Sequence, residues 1–200
     1  MASGVVEIVP LDSLDALGTF REQGYQCAAE RGGKRVGDAE WGNSPTLYHN
    51  SNLNGVRLAF SSTNGTVALL RATDAERILV GAFSNLTLLA DYIAAQPHDV
   101  VVLCSGWKGK LSLEDTLFAG ALVQRLDALG SHQAVNDAAN VAASLWHSAA
   151  ADPYGFCEMG THFQRLKRLG CDDDVRFAFQ YDTCPVLPEY IAGYSIRKLT

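Results

Sequence analysis

The chain has 200 residues, of which 48% are hydrophobic, and it carries a formal net charge of -6 with neutral histidines. Its apolar runs are far shorter than the roughly 20 residues of a membrane helix, so we expect a soluble protein without a membrane partner. There is no run rich in Lys and Arg, and this argues against a nucleic-acid-binding surface.

The cysteines are five in number, and they are scattered without a CxxC pair or a zinc-type Cys/His spacing. Free thiols in a reducing compartment fit this pattern. Residues 1–4 lack the basic and apolar regions of a secretory leader, so we expect a cytoplasmic protein.

Strand and helix patterns alternate through the first 130 residues. The β-branched run at residues 5–9 predicts a strand, and Asp12 and Ser13 can cap the helix that follows. Further strands are predicted at residues 24–29, 56–60, 78–81 and 100–104, and a helical pattern follows each of the last three. Residues 31–45 form a polar, glycine-rich loop of a length that is often functional.

The remainder of the chain has a different pattern. Residues 133–169 are mainly helical, with a break near Asp152 and Pro153. Residues 175–180 predict a late strand, and Pro185 and Pro188 indicate an irregular tail. Taken together, the alternating elements predict a single domain over residues 1–200 with a three-layer α/β/α fold and a mostly parallel or mixed sheet.

Ligands of open α/β sheets bind beyond the carboxyl ends of the strands, so the loops that follow the predicted strands are candidate binding sites. Residues 61–66 read SSTNGT and supply hydroxyl groups, an amide and a glycine at the start of a helix, an arrangement that suits phosphate. A capped tight turn that binds nothing is the alternative interpretation. In the next loop an ordinary N-cap by Ser84 or Asn85 would explain both residues.

The loop at residues 104–115 is richer in chemically active side chains. It contains Cys104, Lys108, Lys110, Ser112, Glu114 and Asp115. Magnesium prefers one or two carboxylates together with waters and substrate oxygens, so Glu114 or Asp115 opposite a phosphate cradle would suffice for phosphoryl transfer. However, Ser112 and Asp115 also match the S-x-x-[DE] capping box, so a purely structural role for this pair competes with the functional one.

Other candidates are weaker. The five histidines show no paired spacing, and a lone histidine is seldom a metal ligand. Cys104 could be a nucleophile, but a cysteine that ends an apolar strand is usually a buried apolar residue. The acids at residues 172–174 indicate a solvated turn or a helix cap.

Five motifs occur in an order that resembles the 2-phosphosulfolactate phosphatase (ComB-like) family. They are Glu30-Arg31-Gly32-Gly33, Gly42-Asn43-Ser44-Pro45, Ser62-Thr63-Asn64-Gly65-Thr66, the turn from Gly81 to Asn85, and the run from Cys104 through Ser112-Leu113-Glu114-Asp115-Thr116 to Gly120. His162 and Arg165 are similar to a late helical His and Arg of the family. Family members normally begin with a further strand, loop and helix bearing an Asp-Val-Leu-Arg-like stretch. Nothing before Val5 matches it, so the chain is expected to start after that unit.

The resemblance implies an α/β homodimer that hydrolyses a phosphate monoester of a small hydroxy acid with Mg²⁺. In this reading Glu114 and Asp115 are catalytic and bind the metal, while Glu30 and Cys104 are further catalytic candidates. The residues expected to contact phosphate or the anionic substrate are Asn43, Ser44, Thr63, Asn64, Gly65, Thr66, Asn85, Lys108 and Lys110.

The sequence leaves two other functions open. A catalytically inactive family member could keep the anion pocket as a binding or structural protein. A nucleotide-binding protein has less support, because the sequence contains no GxxxxGK[ST] motif and no GxGxxG after a strand.

Overall fold

The computed structural model describes residues 1–199 and divides them into two compact units. The first unit comprises residues 1–80 together with the C-terminal residues from Val186 onward, and the second comprises residues 81–185. The prediction of one domain over residues 1–200 stays a prediction.

The first unit contains the strands and three short helices. The strands are β1 (Glu7–Pro10), β2 (Gln26–Arg31), β3 (Lys34–Arg35), β4 (Arg57–Ser61), β5 (Ile78–Leu79), β6 (Pro188–Ile191) and β7 (Ser195–Lys198). The helices are α1 (Leu17–Glu22), α2 (Pro45–His49) and α3 (Gly65–Arg71).

The strands form one sheet in the order β3-β2-β4-β1-β7-β6-β5. Strand β4 pairs in parallel with both β1 and β2, whereas the other pairings are antiparallel. The sheet is therefore mixed, which is one of the two arrangements that the sequence predicts. Its combination with helices is consistent with the predicted three-layer α/β class.

Small apolar residues on the strands allow close packing within the first unit. Cys27, Ala29 and Ala59 are fully buried and cluster with Leu11 and Leu17. In register, Cys27 lies beside Ala59 and Ala29 beside Ser61, so β2 and β4 end at the same edge. This register places the loops that follow β2 and β4 next to each other.

The second unit is helical over the residues that the structure describes. After a 3-10 turn at Phe83–Asn85 come α4 (Leu86–Ala94), α5 (Leu113–Ala128), α6 (Asp137–Ala149), α7 (Pro153–Cys157), α8 (Thr161–Arg168) and α9 (Asp172–Ala178). The predicted break at Asp152 and Pro153 is confirmed: Asp152 caps α7 and Pro153 is its first residue, where no N–H donor is needed.

Phe83 lies at the centre of the second unit's aromatic core. Its ring centroid is 5.4–5.6 Å from those of Phe118, Trp146, Phe179 and Tyr181. Leu117 and Phe163 are almost completely buried as well. Large aromatic and aliphatic side chains thus form the centre of this unit.

Three predicted elements were wrong. No strand is assigned to residues 100–104 in the described part of the chain. Residues 175–180 lie mostly in α9, where acids in the first turn favour a helix. The predicted irregular tail instead forms the hairpin of β6 and β7, and Pro188 is accommodated as the first residue of its strand.

None of the helices within residues 1–199 combines the length and the apolar character needed to cross a membrane.

Candidate functional site

Ser112 fixes two carboxylates at the start of α5. Its hydroxyl oxygen accepts a hydrogen bond from the backbone N–H of Asp115 at 3.3 Å, which confirms the predicted helix cap. The same oxygen lies 2.9 Å from Oε2 of Glu114 and 2.9 Å from Oδ1 of Asp115. Because Ser112 is only 4% exposed, it holds both acids in defined positions at the positive end of the helix dipole.

Asp115 also ties the preceding turn to the helix. Its Oδ2 accepts hydrogen bonds from the backbone N–H of Gly106 at 2.8 Å and from the hydroxyl of Ser105 at 3.1 Å. Trp107 and Lys110 close the turn by exchanging two backbone hydrogen bonds of 2.9 and 3.0 Å. Gly106 is required here, since its φ is +68° and a Cβ would lie 2.5 Å from the carbonyl oxygen of Lys110.

Glu114 faces a histidine from a distant part of the chain. Its Oε1 lies 3.5 Å from Nδ1 of His162, is buried, and makes no hydrogen bond with the residues that the structure describes. Burial favours the neutral acid, but the contact with His162 and the hydrogen bonds at the carboxylate outweigh burial and lower the pKa of Glu114. Glu114 is therefore ionised and has one oxygen available for a further partner.

Aromatic and cationic side chains pack around Trp107, which contacts the same His162. The ring of Trp107 stacks on that of His162 with centroids 5.2 Å apart and an interplanar angle of 28°. Nζ of Lys108 lies 4.9 Å from the Trp107 centroid, and Cζ of Arg165 lies 5.9 Å from it. His162 and Arg165 are three residues apart on α8, so they share a face of the helix. We call Trp107, Lys108, His162 and Arg165 the cationic cluster.

Cys104 and Lys110 lie at the two ends of the same turn, and both are exposed. Exposure of Cys104 differs from the buried position expected of a cysteine that ends an apolar strand. Desolvation and then the charge of Asp115 raise the pKa of the Cys104 thiol. Both effects disfavour the thiolate that a nucleophilic cysteine needs.

Asn85 has the capping role that the sequence allows. It is 4% exposed, and its Oδ1 accepts a hydrogen bond from the backbone N–H of Ala82 at 2.9 Å. The side chain thereby closes the 3-10 turn before α4. Its predicted contact with phosphate stays a prediction.

The Ser62–Thr66 loop of the first unit is partly closed on itself. The Thr66 side chain is 2% exposed, and its Oγ1 lies 3.1 Å from Oγ of Ser62 and accepts the Ser62 N–H at 3.3 Å. The Thr66 N–H in turn donates to Oγ of Ser62 at 3.2 Å. Thr63 is exposed, and Asn64 and Gly65 are half-buried, so the tip of the loop is its accessible part.

Glu30 and Arg31 lie at the same edge of the sheet as this loop. The Arg31 guanidinium donates hydrogen bonds to Oγ of Ser61 at 2.8 Å and to the Ser61 carbonyl oxygen at 3.2 Å. Oε1 of Glu30 accepts a hydrogen bond from the backbone N–H of Gly33. Arg31 therefore places a positive charge beside Ser61, the first residue of the predicted phosphate loop.

Asn43 and Ser44 precede α2. Ser44 is the N-cap of this helix, and its Oγ accepts the backbone N–H of Leu47 at 3.3 Å. Asn43 is exposed. Their predicted role in closing over a substrate stays a prediction.

The chain is similar to a family of phosphatases over nearly all of its length. The model of the 2-phosphosulpholactate phosphatase family matches residues 1–193. The chain belongs to this family. The sequence-based recognition of the 2-phosphosulfolactate phosphatase family is thereby confirmed.

Individual relatives agree with this assignment. A probable 2-phosphosulfolactate phosphatase of Gloeobacter violaceus is 36% identical over 198 residues, which are 96% of this chain and 82% of the relative. Proteins with the same description from Picosynechococcus and Synechococcus are 37% and 41% identical, over 93% and 84% of this chain and 79% and 71% of their own lengths.

All the predicted site residues of this phosphatase-family chain fall within the matched range. In the second unit the structure brings together Cys104, Lys108, Lys110, Glu114 and Asp115 within one turn and one helix start. In the first unit Glu30 and the Ser62–Thr66 loop follow adjacent parallel strands.

Sequence reasoning named His162 only through the family resemblance, and it assigned no role to Arg31 or Trp107. Arg31 could have been found from its position at the end of β2, inside the Glu-Arg-Gly-Gly motif. Trp107 and His162 carry no such local signal, because their contact joins a turn and a helix more than 50 residues apart.

Proposed function

We propose that the chain hydrolyses the phosphate monoester of a small hydroxy acid related to 2-phosphosulfolactate, with Mg²⁺, to the alcohol and inorganic phosphate. Membership of the phosphatase family supports the reaction class. The observation that carries the assignment to the second unit is the ionised Glu114, whose Oε1 is buried, in contact with His162 of the cationic cluster.

The side chains at the start of α5 fit a magnesium ion. Oε1 of Glu114 is buried and lacks a hydrogen bond within residues 1–199, and a hard divalent cation would satisfy this oxygen. No group of three or more His, Cys, Asp or Glu in that range is placed to hold a metal. Mg²⁺ tolerates this, because it commonly takes one or two carboxylates and completes its shell with waters and substrate oxygens. Glu114 and Asp115 would hold the ion.

Hydrolysis requires that charge on the phosphoryl group be neutralised and that water be oriented toward phosphorus. Bound Mg²⁺ would supply neutralising charge at the phosphoryl oxygens. Lys108, Lys110 and Arg165 attract the anionic substrate toward the turn, since their charges lie on or beside it. The Glu114 carboxylate can accept the proton of the attacking water as the water oxygen bonds to phosphorus and the ester bond breaks, and the leaving oxygen takes up a proton to become the alcohol.

Asp115 has a different part in this proposal. Both of its carboxylate oxygens accept hydrogen bonds from the turn or the cap, so it keeps the turn that carries Lys108 and Lys110 in place. It is a positioning residue as well as a candidate metal ligand. Glu30, Asn43, Ser44 and the Thr63–Thr66 segment remain candidates for phosphate contacts within the first unit. A cytoplasmic homodimer completes the proposal.

The proposal is tested by Mg²⁺-dependent release of phosphate from 2-phosphosulfolactate and from a generic monoester. We expect Glu114→Gln to lower kcat/KM by a factor of about 100 or more, because it removes a charge beside the reacting group. Glu158→Gln is the matched control. Glu158 is half-exposed and pairs with Lys167 outside the turn, so this variant should retain activity.

Two results would contradict the catalytic proposal. One is the lack of phosphate release by folded protein at high enzyme concentration. The other is equal activity of the two variants. Calorimetric binding of the phosphorylated acid without turnover would instead support the rival function, an inactive anion-binding family member.

A further inference from the structure

Trp107 lies in the turn that precedes α5, and its backbone is fixed within that turn at two points. Its N–H donates to the Lys110 carbonyl oxygen at 2.9 Å, and its own carbonyl oxygen accepts the Lys110 N–H at 3.0 Å. The neighbouring Gly106 N–H donates to Oδ2 of Asp115 at 2.8 Å, which joins the turn to the start of the helix. The Trp107 side chain therefore begins at a defined position relative to α5.

The Trp107 ring extends from this turn to α8. It stacks on the His162 imidazole with ring centroids 5.2 Å apart and planes inclined by 28°. Favourable aromatic pairs have centroids about 4.5–7 Å apart, so this is a close contact. Cζ of Arg165, about one turn further along α8, lies 5.9 Å from the same ring. One ring thus contacts two side chains of that helix.

The plane of the His162 imidazole determines whether the histidine can reach Glu114. Nδ1 lies at the edge of the ring and is 3.5 Å from the buried Oε1 of the carboxylate. The torsion that rotates a histidine ring has broad minima, so the rotamer alone does not keep this edge turned toward Glu114. The flat contact with Trp107 covers one face of the ring and opposes its rotation. The stack and the contact with Glu114 are therefore coupled through one torsion angle.

Phe163 anchors α8 in the core of the second unit independently of Trp107. Phe163 is 1% exposed and packs against Tyr154 with ring centroids 5.1 Å apart, whereas Trp107 is half-buried. Consecutive residues of a helix face different directions, so Phe163 packs into the core while His162 faces the turn. The stack between Trp107 and His162 thus determines the orientation of a side chain rather than the position of the helix.

We propose that Trp107 is a positioning residue for Glu114. By stacking on His162 it keeps the imidazole plane at the angle at which Nδ1 contacts the carboxylate, and this contact fixes the direction of the carboxylate oxygens. Glu114 is thereby held through two side chains, whereas Asp115 is held through the backbone of the turn. The catalytic consequence rests on the proposed phosphatase function, in which Glu114 acts on the attacking water. The effect of Trp107 on His162 does not rest on it.

Proton NMR of the His162 ring tests the stack without reference to activity. The ring current of Trp107 shifts the protons of a stacked imidazole to higher field, and His162→Asn identifies their resonances. At one fixed pH we expect Trp107→Leu to move these resonances to lower field. Trp107→Phe keeps an aromatic ring and should retain most of the shift. Of the five histidines only His162 should respond, so the others are an internal control.

The kinetics of Mg²⁺-dependent phosphate release test the consequence for Glu114. Loss of a side chain that orients a reacting group costs about tenfold or more in rate, so Trp107→Leu should lower kcat by this factor. KM should change little, because Trp107 brings no charge to the substrate, and Trp107→Phe should recover most of the lost kcat. The matched control is Tyr194→Leu, which removes an exposed aromatic ring of the first unit and should leave kcat unchanged.

Three results would overturn the proposal. They are His162 resonances that Trp107→Leu leaves in place, a kcat of this variant equal to that of the wild type, and an equal loss of kcat in Trp107→Leu and Trp107→Phe. Thermal denaturation checks that each variant is folded. If the wild-type protein releases no phosphate, the proposed function fails, and the shift of the His162 resonances alone then decides whether Trp107 holds the imidazole.

Discussion

Gly120 on α5 lies directly against Ala142 and Trp146 on α6, and substituting it by alanine tests this packing. A Cβ at Gly120 would lie 2.0 Å from the carbonyl oxygen of Ala142 and 2.7 Å from Cβ of Trp146. Ordinary contacts of a Cβ begin at 3.4 Å. The obstacle is backbone, so no side-chain rotation can relieve it, and the two helices have to separate.

The expected cost follows from two opposing effects. Alanine is favoured over glycine in a helix by about 1 kcal/mol. Overpacking a core costs about 1–3 kcal/mol, and the upper end applies where backbone must move. We therefore expect Gly120→Ala to lower the free energy of unfolding by about 2 kcal/mol, which for a chain of this size corresponds to a fall in Tm of about 4–8 °C.

Thermal denaturation followed by circular dichroism measures this change, and hydrogen exchange of residues 137–149 locates it in α6. Gly18→Ala is the matched control, because Gly18 is also helical but a Cβ there meets nothing within 4 Å. It should be neutral or stabilising by about 0.5 kcal/mol. Gly120→Ala with a Tm equal to or above that of Gly18→Ala would refute the close approach of the two helices.

Three further predictions concern charge and reactivity. Tyr25 and Arg197 are among the partners that outweigh burial and lower the pKa of Glu7 from its usual 4.5. The stability that Glu7 contributes is thus present above pH 4.5 and lost as the pH falls through its lowered folded value. Glu7→Gln should cost about 1 kcal/mol at pH 7, and urea titrations should show this gap close in acid; a constant gap would contradict the linkage. Lys108 has a φ of +54°, which asparagine tolerates, so Lys108→Asn should keep the turn and raise KM severalfold with little change in kcat; an unchanged KM would count against its role in attracting substrate. Burial raises the pKa of the Cys157 thiol to about 12, so mass spectrometry after brief alkylation should show the exposed Cys104 modified and Cys157 intact, and equal labelling would contradict this burial.

The sequence predicted correctly those elements that are determined by residues close together along the chain. The Ser112-x-x-Asp115 spacing predicted an N-cap, and the structure has it. The proline at residue 153 predicted the break between α6 and α7. In each case the deciding interaction joins residues within one turn, so the printed sequence contains all of it.

Elements that depend on distant partners were predicted less well. Residues 175–180 are mostly apolar and include the strand-favouring Val175, Phe177 and Phe179. They follow three acids that stabilise a helix start, however, and Arg176 pairs with Asp172 one turn earlier. Residues 100–104 have the composition of a buried strand, yet no strand is assigned there among residues 1–199, since a strand is defined by hydrogen bonds to a neighbour and not by its own side chains. The composition of a segment indicates that it could form a strand, but it does not indicate whether a neighbouring strand pairs with it.

The same distinction separates the two acids at the start of α5. Glu114 and Asp115 are adjacent, both lie in the first turn of the helix, and local reasoning gave them the same candidate roles. The structure separates them through partners that lie at different distances along the sequence. Asp115 bonds to residues at most ten positions away and thereby holds the turn, whereas Glu114 faces His162 and keeps an oxygen without a hydrogen bond among the described residues. Since Glu114 makes no contact with the turn through this buried oxygen, its replacement should affect a bound cation or substrate more than the turn, and replacement of Asp115 should do the reverse.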